Sequence, residues 1–461
     1  MPSDSAAVAT RASKTPTIAI RADSFMLRNG LTVLVHEDHK APVVSVDLLY
    51  HVGSKDERPG KTGLAHLVEH LMFYGTTNAP GDWFQLASRY GFTDLIGLTH
   101  NDVSRFGETI PVASLDTTLW LEADRMASLA PALTQAKLDA QRRVVENEVA
   151  QGLNEPYGDV LDRIARNSYP PDHPYHHEVL GSMEELRGAS VDDVRAWLRA
   201  YYVPNNAILI LAGDVDVTSA RRLAERYFGH IPAGALVERL RRRPEPQLGE
   251  RREQVHASVP QARLYRVWNV AGLGTREFDD LRLVADILGS GSNSRLYRRL
   301  VTSGAAADVT TWIQGRELGS SFIIQVTAPP GADSTVATLE AVVGEELERL
   351  LLNGPTDSEL TAARRGPRNW FVRATERVGG YGGQSDQIGW STAFGGRPDY
   401  HAVQMQHWAE ATPDTVRAAG RRWLSHGAYT LEVYPLATST TVASRDTAGV
   451  AERTVPSPRP V

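Results

Sequence analysis

The chain has no cysteine among its 461 residues, which excludes disulfide bonds and a thiol nucleophile. The compartment stays open, because a protein without thiols tolerates either redox state. No run of 18 apolar residues occurs, so no segment reads as a membrane span. Positive charge is in short supply: 49 Lys+Arg stand against 55 Asp+Glu, and the pI is near 6.2. That balance argues against a nucleic-acid binder. The one basic run, Arg239-Leu-Arg-Arg-Arg243, lies in a proline-flanked stretch and reads as a solvated linker. Aromatic residues make up 7%, and the nine tryptophans are scattered like core or interface residues.

Against this background one pentapeptide stands out, His66-Leu-Val-Glu-His70. Residues i, i+3 and i+4 share a helix face, so His66, Glu69 and His70 project together. Their neighbours Leu64, Ala65, Leu67, Val68, Leu71 and Met72 are apolar nearly all round, which predicts a buried helix with Gly75 as its stop. Three ionisable groups side by side in a buried helix are costly unless something neutralises them. A divalent metal does so, and two neutral imidazoles suit zinc, leaving the carboxylate free to act on water. Two histidines on one helix can also be core groups bonded to carbonyls.

Catalytic zinc usually takes three protein ligands. The segment Thr134 to Gly152 reads as a helix that Thr134 caps and Gly152 ends. Its apolar stripe runs Leu138, Val145, Val149, with Val144 beside it, and Glu148 borders that stripe; Glu146 lies on another, solvated face. Taken alone, Glu148 is an ordinary surface carboxylate.

Gly63-Leu-Ala-His-Leu-Val-Glu-His-Leu-Met-Phe-Tyr-Gly-Thr76 with Arg142-Arg-Val-Val-Glu-Asn-Glu148 resembles the pitrilysin family of inverted-motif zinc peptidases. That family includes insulin-degrading enzyme and the mitochondrial processing peptidase. The interval of 78 residues from His70 to Glu148 is similar to theirs, as are Asn154-Glu-Pro-Tyr-Gly158 and His173-Pro-Tyr175 with Gly181. The resemblance extends from about residue 22 to 436 and points to the zinc-binding subunit of the half-size bacterial branch. It implies one zinc per chain on His66, His70 and Glu148, with Glu69 as general base of a metalloendopeptidase. It also implies that the peptide substrate adds as a strand to Asp94-Leu-Ile-Gly-Leu-Thr99, with Ile96, Gly97, Leu98 and Thr99 as the contact edge.

The chain departs from the family pattern in three places. Gln141 stands one heptad before Glu148, where a further glutamate is common, so it can orient a neighbour by hydrogen bonding but adds no charge. Ile96-Gly97 replace an Asn-Ala pair. An Arg and a Tyr usual in the second domain, near Ser294-Arg-Leu-Tyr-Arg-Arg-Leu300, fall on Val301 and Ala307, neither of which can donate from a side chain. Arg298, Arg299 and Tyr297 lie on the wrong turn to replace them. These losses imply half an enzyme: a heterodimer with a same-fold subunit that lacks the ligands but carries the Arg/Tyr pair. A non-catalytic structural subunit is the alternative.

The chain also reads as built twice. Thr134, Leu138, Arg142-Arg143 and Asn147 recur as Thr356, Leu360, Arg364-Arg365 and Asn369 at a constant offset of 222. Similar helices precede both copies, Leu115 to Leu129 and Val336 to Leu352. Before those come strands ending in proline, Ser104 to Pro111 and Ser321 to Pro329, and each half closes on a strand, Ala207 to Leu211 and Tyr429 to Tyr434. Phe25 to Val35 carries a hairpin signal with Asn29-Gly30 as its turn. The expected fold is α+β: two homologous domains, each a largely antiparallel sheet with helices on one face. Residues 22–232 form the catalytic domain, 233–253 a Pro/Arg/Glu-rich linker and 254–440 the second domain. Segments 1–21 and 441–461 read as disordered. In the second copy Glu148 falls on Trp370 and Glu69 on Ala285, so that copy can neither bind zinc nor supply a base. His173, His176 and His177 share a Pro-rich loop and are set aside as a metal site. The run Gly379-Gly-Tyr-Gly-Gly383 reads as a mobile loop or hinge. The Ala/Ser/Thr-rich start is what a removed export signal would leave behind, which points to the periplasm, with the cytoplasm as alternative.

Overall fold

β-Branched and aliphatic runs bounded by turn residues build eleven strands, seen in a computed structural model that describes residues 19–241, 244–246, 249–332 and 336–436. The first six are β1 (Asp23–Met26), β2 (Thr32–Glu37), β3 (Val43–Tyr50), β4 (Thr93–Thr99), β5 (Ser104–Pro111) and β6 (Ala207–Gly213). They form one sheet in the order β1-β2-β6-β3-β5-β4. The other five are β7 (Arg251–Ala257), β8 (Arg263–Val270), β9 (Asp308–Gln314), β10 (Ser320–Thr327) and β11 (Tyr429–Pro435), ordered β7-β11-β8-β10-β9. Strand for strand the second order repeats the first without β1. In each sheet a single pair is parallel, β2 with β6 and β7 with β11, and the rest are antiparallel. The duplication read from the sequence is therefore a duplication of topology.

Each sheet has its own helices on one face. On the first, Val33, Val35, Leu48 and Phe106 pack with Leu67, Val68, Leu71 and Leu119. The opposite face is not left to solvent. Leu34, Leu49 and Ile210 point there and need cover, which comes from Ile388 on the second half's helix Gln384–Gly395. The reciprocal helix Val160–Ser168 of the first half lays Val160 and Ile164 on Tyr265, Val267 and Ile323 of the second sheet. The halves thus exchange equivalent helices and cover each other.

Buried ion pairs lock the exchange. Arg105 on β5 donates to Asp47 of β3 at 2.9 Å and to Asp386 at 2.7 Å, and Ser45 meets Ser385 at 3.0 Å. A second buried patch joins Asp102 to Tyr175 at 2.5 Å and to the Glu317 amide at 3.1 Å, with Arg316 donating to Asn101 at 2.8 Å.

Several local expectations change. The glycine run is packed rather than loose: a Cβ on Gly379 would lie 2.2 Å from the Thr109 hydroxyl and 2.6 Å from that of Ser45, so only glycine lets this turn approach the sheet. Part of segment 1–21 is held, since Ile20 is 3% exposed and its amide donates to His401 Nε2 at 3.1 Å. Arg239 is not a solvated linker side chain but bonds the His51 carbonyl and the Asn206 amide oxygen, both at 2.5 Å. β7 begins at Arg251, so the last three residues of the expected linker belong to the strand. Residues 1–18, 242, 243 and the tail 441–461 lie outside the described residues.

Candidate metal centre

The pentapeptide folds as the helix Leu64–Met72. Its first turn is held from outside: the Glu57 carboxylate accepts from the Gly63 amide at 3.0 Å and the Ala65 amide at 2.7 Å, satisfying donors a helix start leaves open. Burial pushes the Glu57 carboxyl up to about 8 despite those two bonds. Sequence reasoning missed this anchor; an acidic residue just ahead of an apolar helix is the signal that could have found it. The helix ends at Met72 with Phe73 as its cap, so Gly75 is not the stop.

The second helix runs Gln135–Asn154, capped by Thr134 at the Lys137 amide, 3.3 Å, and it continues two residues past Gly152. Leu138, Val145 and Val149 are its buried stripe, whereas Val144 is 47% exposed. Arg142 pins the helix by donating to the carbonyls of Leu186 at 3.2 Å and Ala189 at 2.5 Å. Glu146 turns to Arg187 at 2.8 Å rather than standing free. Lys137 reaches across to the Gly75 carbonyl at 3.1 Å, fixing the two helices side by side.

That packing brings together residues 78 positions apart. Glu148 Oε2 lies 3.2 Å from His70 Nε2, and its Oε1 lies 3.9 Å from His66 Nε2. One donor atom from each of the three falls within 4.8 Å of the others, and no other such cluster exists among the described residues. Two imidazoles and one carboxylate converging this closely suit zinc. His66 is 8% exposed, and its Nδ1 is buried with no hydrogen-bond partner. Burial holds His66 below the ordinary imidazole value, Glu69 pulls it back up, His70 adds to the drop and Glu148 opposes it. A neutral ring offering a lone pair is the form a metal requires.

Glu69 is half-buried on the same helix face and makes neither a hydrogen bond nor an ion pair with any described residue. It points at β4, the edge of the first sheet. A Cβ on Gly97 would lie 3.3 Å from Glu69 Oε1 and 2.6 Å from the Phe73 ring, so the strand passes over the carboxylate at backbone contact. Ile96, Leu98 and Thr99 belong to this strand, which pairs with β5 on one side only. Gln141 is half-buried and forms no side-chain hydrogen bond with a described residue.

The other candidates separate from this centre. His173 stacks on Tyr169 and accepts from the Tyr175 amide at 3.0 Å, and His176 bonds the Tyr169 carbonyl, so that loop spends its imidazoles on structure. In the second domain Ala285 is buried in the core and Trp370 is 54% exposed. Arg298 and Arg299 are engaged by Glu359, Glu345 and Glu346.

Comparison with known proteins accords with this geometry. The family model described as Insulinase (Peptidase family M16) matches residues 32–173, and the one described as Peptidase M16 inactive domain matches 188–366. The chain is 28% identical over 365 residues to the zinc protease PqqE of Helicobacter pylori, covering 77% of this chain and 80% of that protein. It is 26% identical over 228 residues to a probable mitochondrial-processing peptidase subunit beta of Schizosaccharomyces pombe, 47% of this chain and 46% of the other. The crystal structure of a protease from Helicobacter pylori shares the fold with a TM-score of 0.82 at 24% identity, covering 91% of this chain and 100% of that one. No helix among the described residues is long and apolar enough to cross a membrane. With both halves matched in order, the chain belongs to peptidase family M16, the insulinase family.

Proposed function

We propose that the chain is the zinc-binding subunit of an endopeptidase that hydrolyses short or unfolded peptides. The observation that carries this reading is the unpartnered Glu69 carboxylate, held between a three-donor cluster and an open strand edge. His66, His70 and Glu148 would hold one zinc. When bound, the ion supplies Lewis acidity toward the scissile carbonyl and acidifies water. Glu69 takes the proton of the attacking water and returns it to the leaving amine. The main chain of Ile96 to Thr99 pairs with the extended substrate and orients its carbonyl; a folded protein cannot present such a strand. Gln141, on the ligand helix one heptad before Glu148, adds no charge and makes no side-chain hydrogen bond to a described residue.

Val301 and Ala307 offer no side-chain donor for the charge that develops on the carbonyl oxygen, and Arg298 and Arg299 are occupied elsewhere. We therefore infer a heterodimer in which a same-fold subunit brings the Arg and Tyr, located in the periplasm. Purified chain, alone and with such a partner, is assayed on an unfolded fluorogenic peptide alongside Glu69→Gln and metal analysis. Zinc at one per chain, cleavage that needs the partner, and a zinc-loaded but inactive Glu69→Gln are expected. Robust cleavage by a strictly monomeric chain removes the partner requirement. A zinc-loaded chain that is inert under both conditions removes the peptidase reading and leaves the structural subunit.

A further inference from the structure

One surface of the second domain is not used by the chemistry above. The helix Arg365–Ala374 and the turn after it expose Arg365, Arg368, Arg373 and Arg377, together with the rings of Trp370 (54%) and Tyr381 (70%). None of these four guanidiniums forms an ion pair with a described residue; Arg377 donates only to the Tyr381 carbonyl, at 2.7 Å. Other arginines of this domain behave differently. Arg295, Arg298, Arg299 and Arg349 are each paired, with Glu359, Glu345 and Glu346. Along residues 364–383 Glu376 is the one acidic side chain. A chain of net charge −6 thus gathers unpaired positive charge and flat apolar rings in one segment, with Trp370 and Arg373, three residues apart, on one side of the helix and Arg377 in the turn that follows.

The position of that face matters as much as its charge. A Cβ on Gly382 would meet Trp370 at 3.7 Å, and one on Gly380 would meet Asp94 Cγ at 3.5 Å and Arg377 Nη1 at 3.6 Å. Asp94, with φ +49°, lies near the start of the edge strand β4, where the pairing with β5 shifts register, three residues before Gly97, which lies against Glu69. A peptide paired along β4 that extends beyond Asp94 meets the Gly380–Gly382 turn, which carries Tyr381 and abuts Arg377 and Trp370.

We propose that this face binds an acidic, extended stretch of the peptide substrate, several residues from the bond that is cut. The proposal rests on the peptidase reading and names its substrate class. Guanidinium forks match carboxylates in geometry as well as sign. Trp370 and Tyr381 add contact area on rings that lose little entropy on binding. Asp94 repels a carboxylate placed directly over it, so the acidic positions sit beyond it, toward Arg377 and Arg373. A nucleic acid would satisfy the arginines too, but the overall negative charge of the chain disfavours a polyanion of that density.

Binding is measured on the full-length, zinc-loaded Glu69→Gln chain, with fluorescein-labelled unfolded 15-residue peptides read by anisotropy. One peptide is rich in Glu and Tyr, and its counterpart carries Lys in place of Glu. About tenfold tighter binding of the acidic peptide at low salt is expected, fading toward equality at 0.5 M salt as screening shortens the reach of the arginines. In Arg368→Gln/Arg373→Gln/Arg377→Gln the preference disappears while thermal unfolding and zinc content match the parent; Trp370→Ala, which keeps every charge, weakens both peptides alike. Equal binding of the two peptides by the parent overturns the proposal, and so does a preference that survives the triple substitution. Displacement of the acidic peptide by a 15-nucleotide single strand at lower concentration overturns it in favour of nucleic acid. Absence of zinc-dependent cleavage by the wild-type chain both alone and with its partner, with the binding preference intact, would fail the peptidase reading instead.

Discussion

Gly97→Ala tests the geometry at the point where the edge strand crosses the carboxylate. Gly97 is outside the left-handed region, so alanine meets no backbone strain there and its cost is steric. The added carbon lies 2.6 and 2.7 Å from two atoms of the Phe73 ring and 3.3 Å from Glu69 Oε1. Carbon contacts are comfortable at about 3.5–4.0 Å, so ring or strand must yield by about 1 Å. The ring has little room: it stacks on Phe84 at 5.3 Å and 13° and meets Phe106 edge-on at 6.3 Å. Overpacking of this kind costs about 1–3 kcal/mol of stability. A catalytic group or substrate strand misplaced by about 1 Å costs on the order of 100-fold in rate. The expected outcome is a loss of about 100-fold in kcat/KM for an unfolded peptide, at unchanged zinc stoichiometry, because the donors belong to His66, His70 and Glu148. Adding Phe73→Ala returns the space and recovers much of the rate. Wild-type activity in Gly97→Ala would refute the claim that β4 and Glu69 act at contact distance.

Three further outcomes follow from the same geometry. Glu148→Gln removes the one anionic donor and should weaken zinc binding by more than the roughly 10- to 100-fold typical of losing an outer partner, read by competition with a chromophoric chelator. Asp386→Ala strips a buried partner from Arg105 and leaves the Gly382 amide, 2.8 Å from that carboxylate, unpaired; about 3 kcal/mol of unfolding free energy should be lost in urea. Burial pushes His401 down to about 4, with Asp399 opposing, and its Nε2 accepts from Ile20. A depressed histidine stabilises above its unfolded value near 6.5 and loses that contribution as pH falls toward 4, so about 2 kcal/mol should vanish between pH 8 and pH 5. His401→Gln should flatten that part of the profile in denaturation at the two pH values.

Legibility in the sequence followed the range of the interaction. His66, Glu69 and His70 were visible because helix geometry fixes i, i+3 and i+4 locally, and the Thr134 cap was visible for the same reason. β5 came out with its observed bounds because Pro111 ends it. Glu148 needed the family resemblance, since its own surroundings are those of a surface carboxylate, 51% exposed even in place. Helix ends were misplaced where a glycine was taken as punctuation: Gly75 and Gly152 tolerate a stop but do not impose one, and backbone bonding at Phe73 and Glu155 decided. The exchanged helices could not be read at all. Asp386 and Arg105 are 281 residues apart, and nothing local in Gln384–Gly395 says that its partner is the other sheet.

That exchange bears on why only one copy carries a three-donor cluster among the described residues. Each sheet needs the other half's helix, so neither domain can change its inner face without exposing apolar strand residues of its twin. The second copy has spent its equivalent positions on packing: Ala285 is buried, and Gly289 of the same helix sits where a Cβ would strike the Thr311 hydroxyl at 2.1 Å. A helix pressed that tightly onto β9 leaves no gap between helix and strand at this point. In the first copy Gly97 opens that same space by giving up a side chain on the strand instead. Where the missing side chain lies, on strand or on helix, separates the copy that leaves a carboxylate beneath an open strand edge from the copy whose helix closes against its strand.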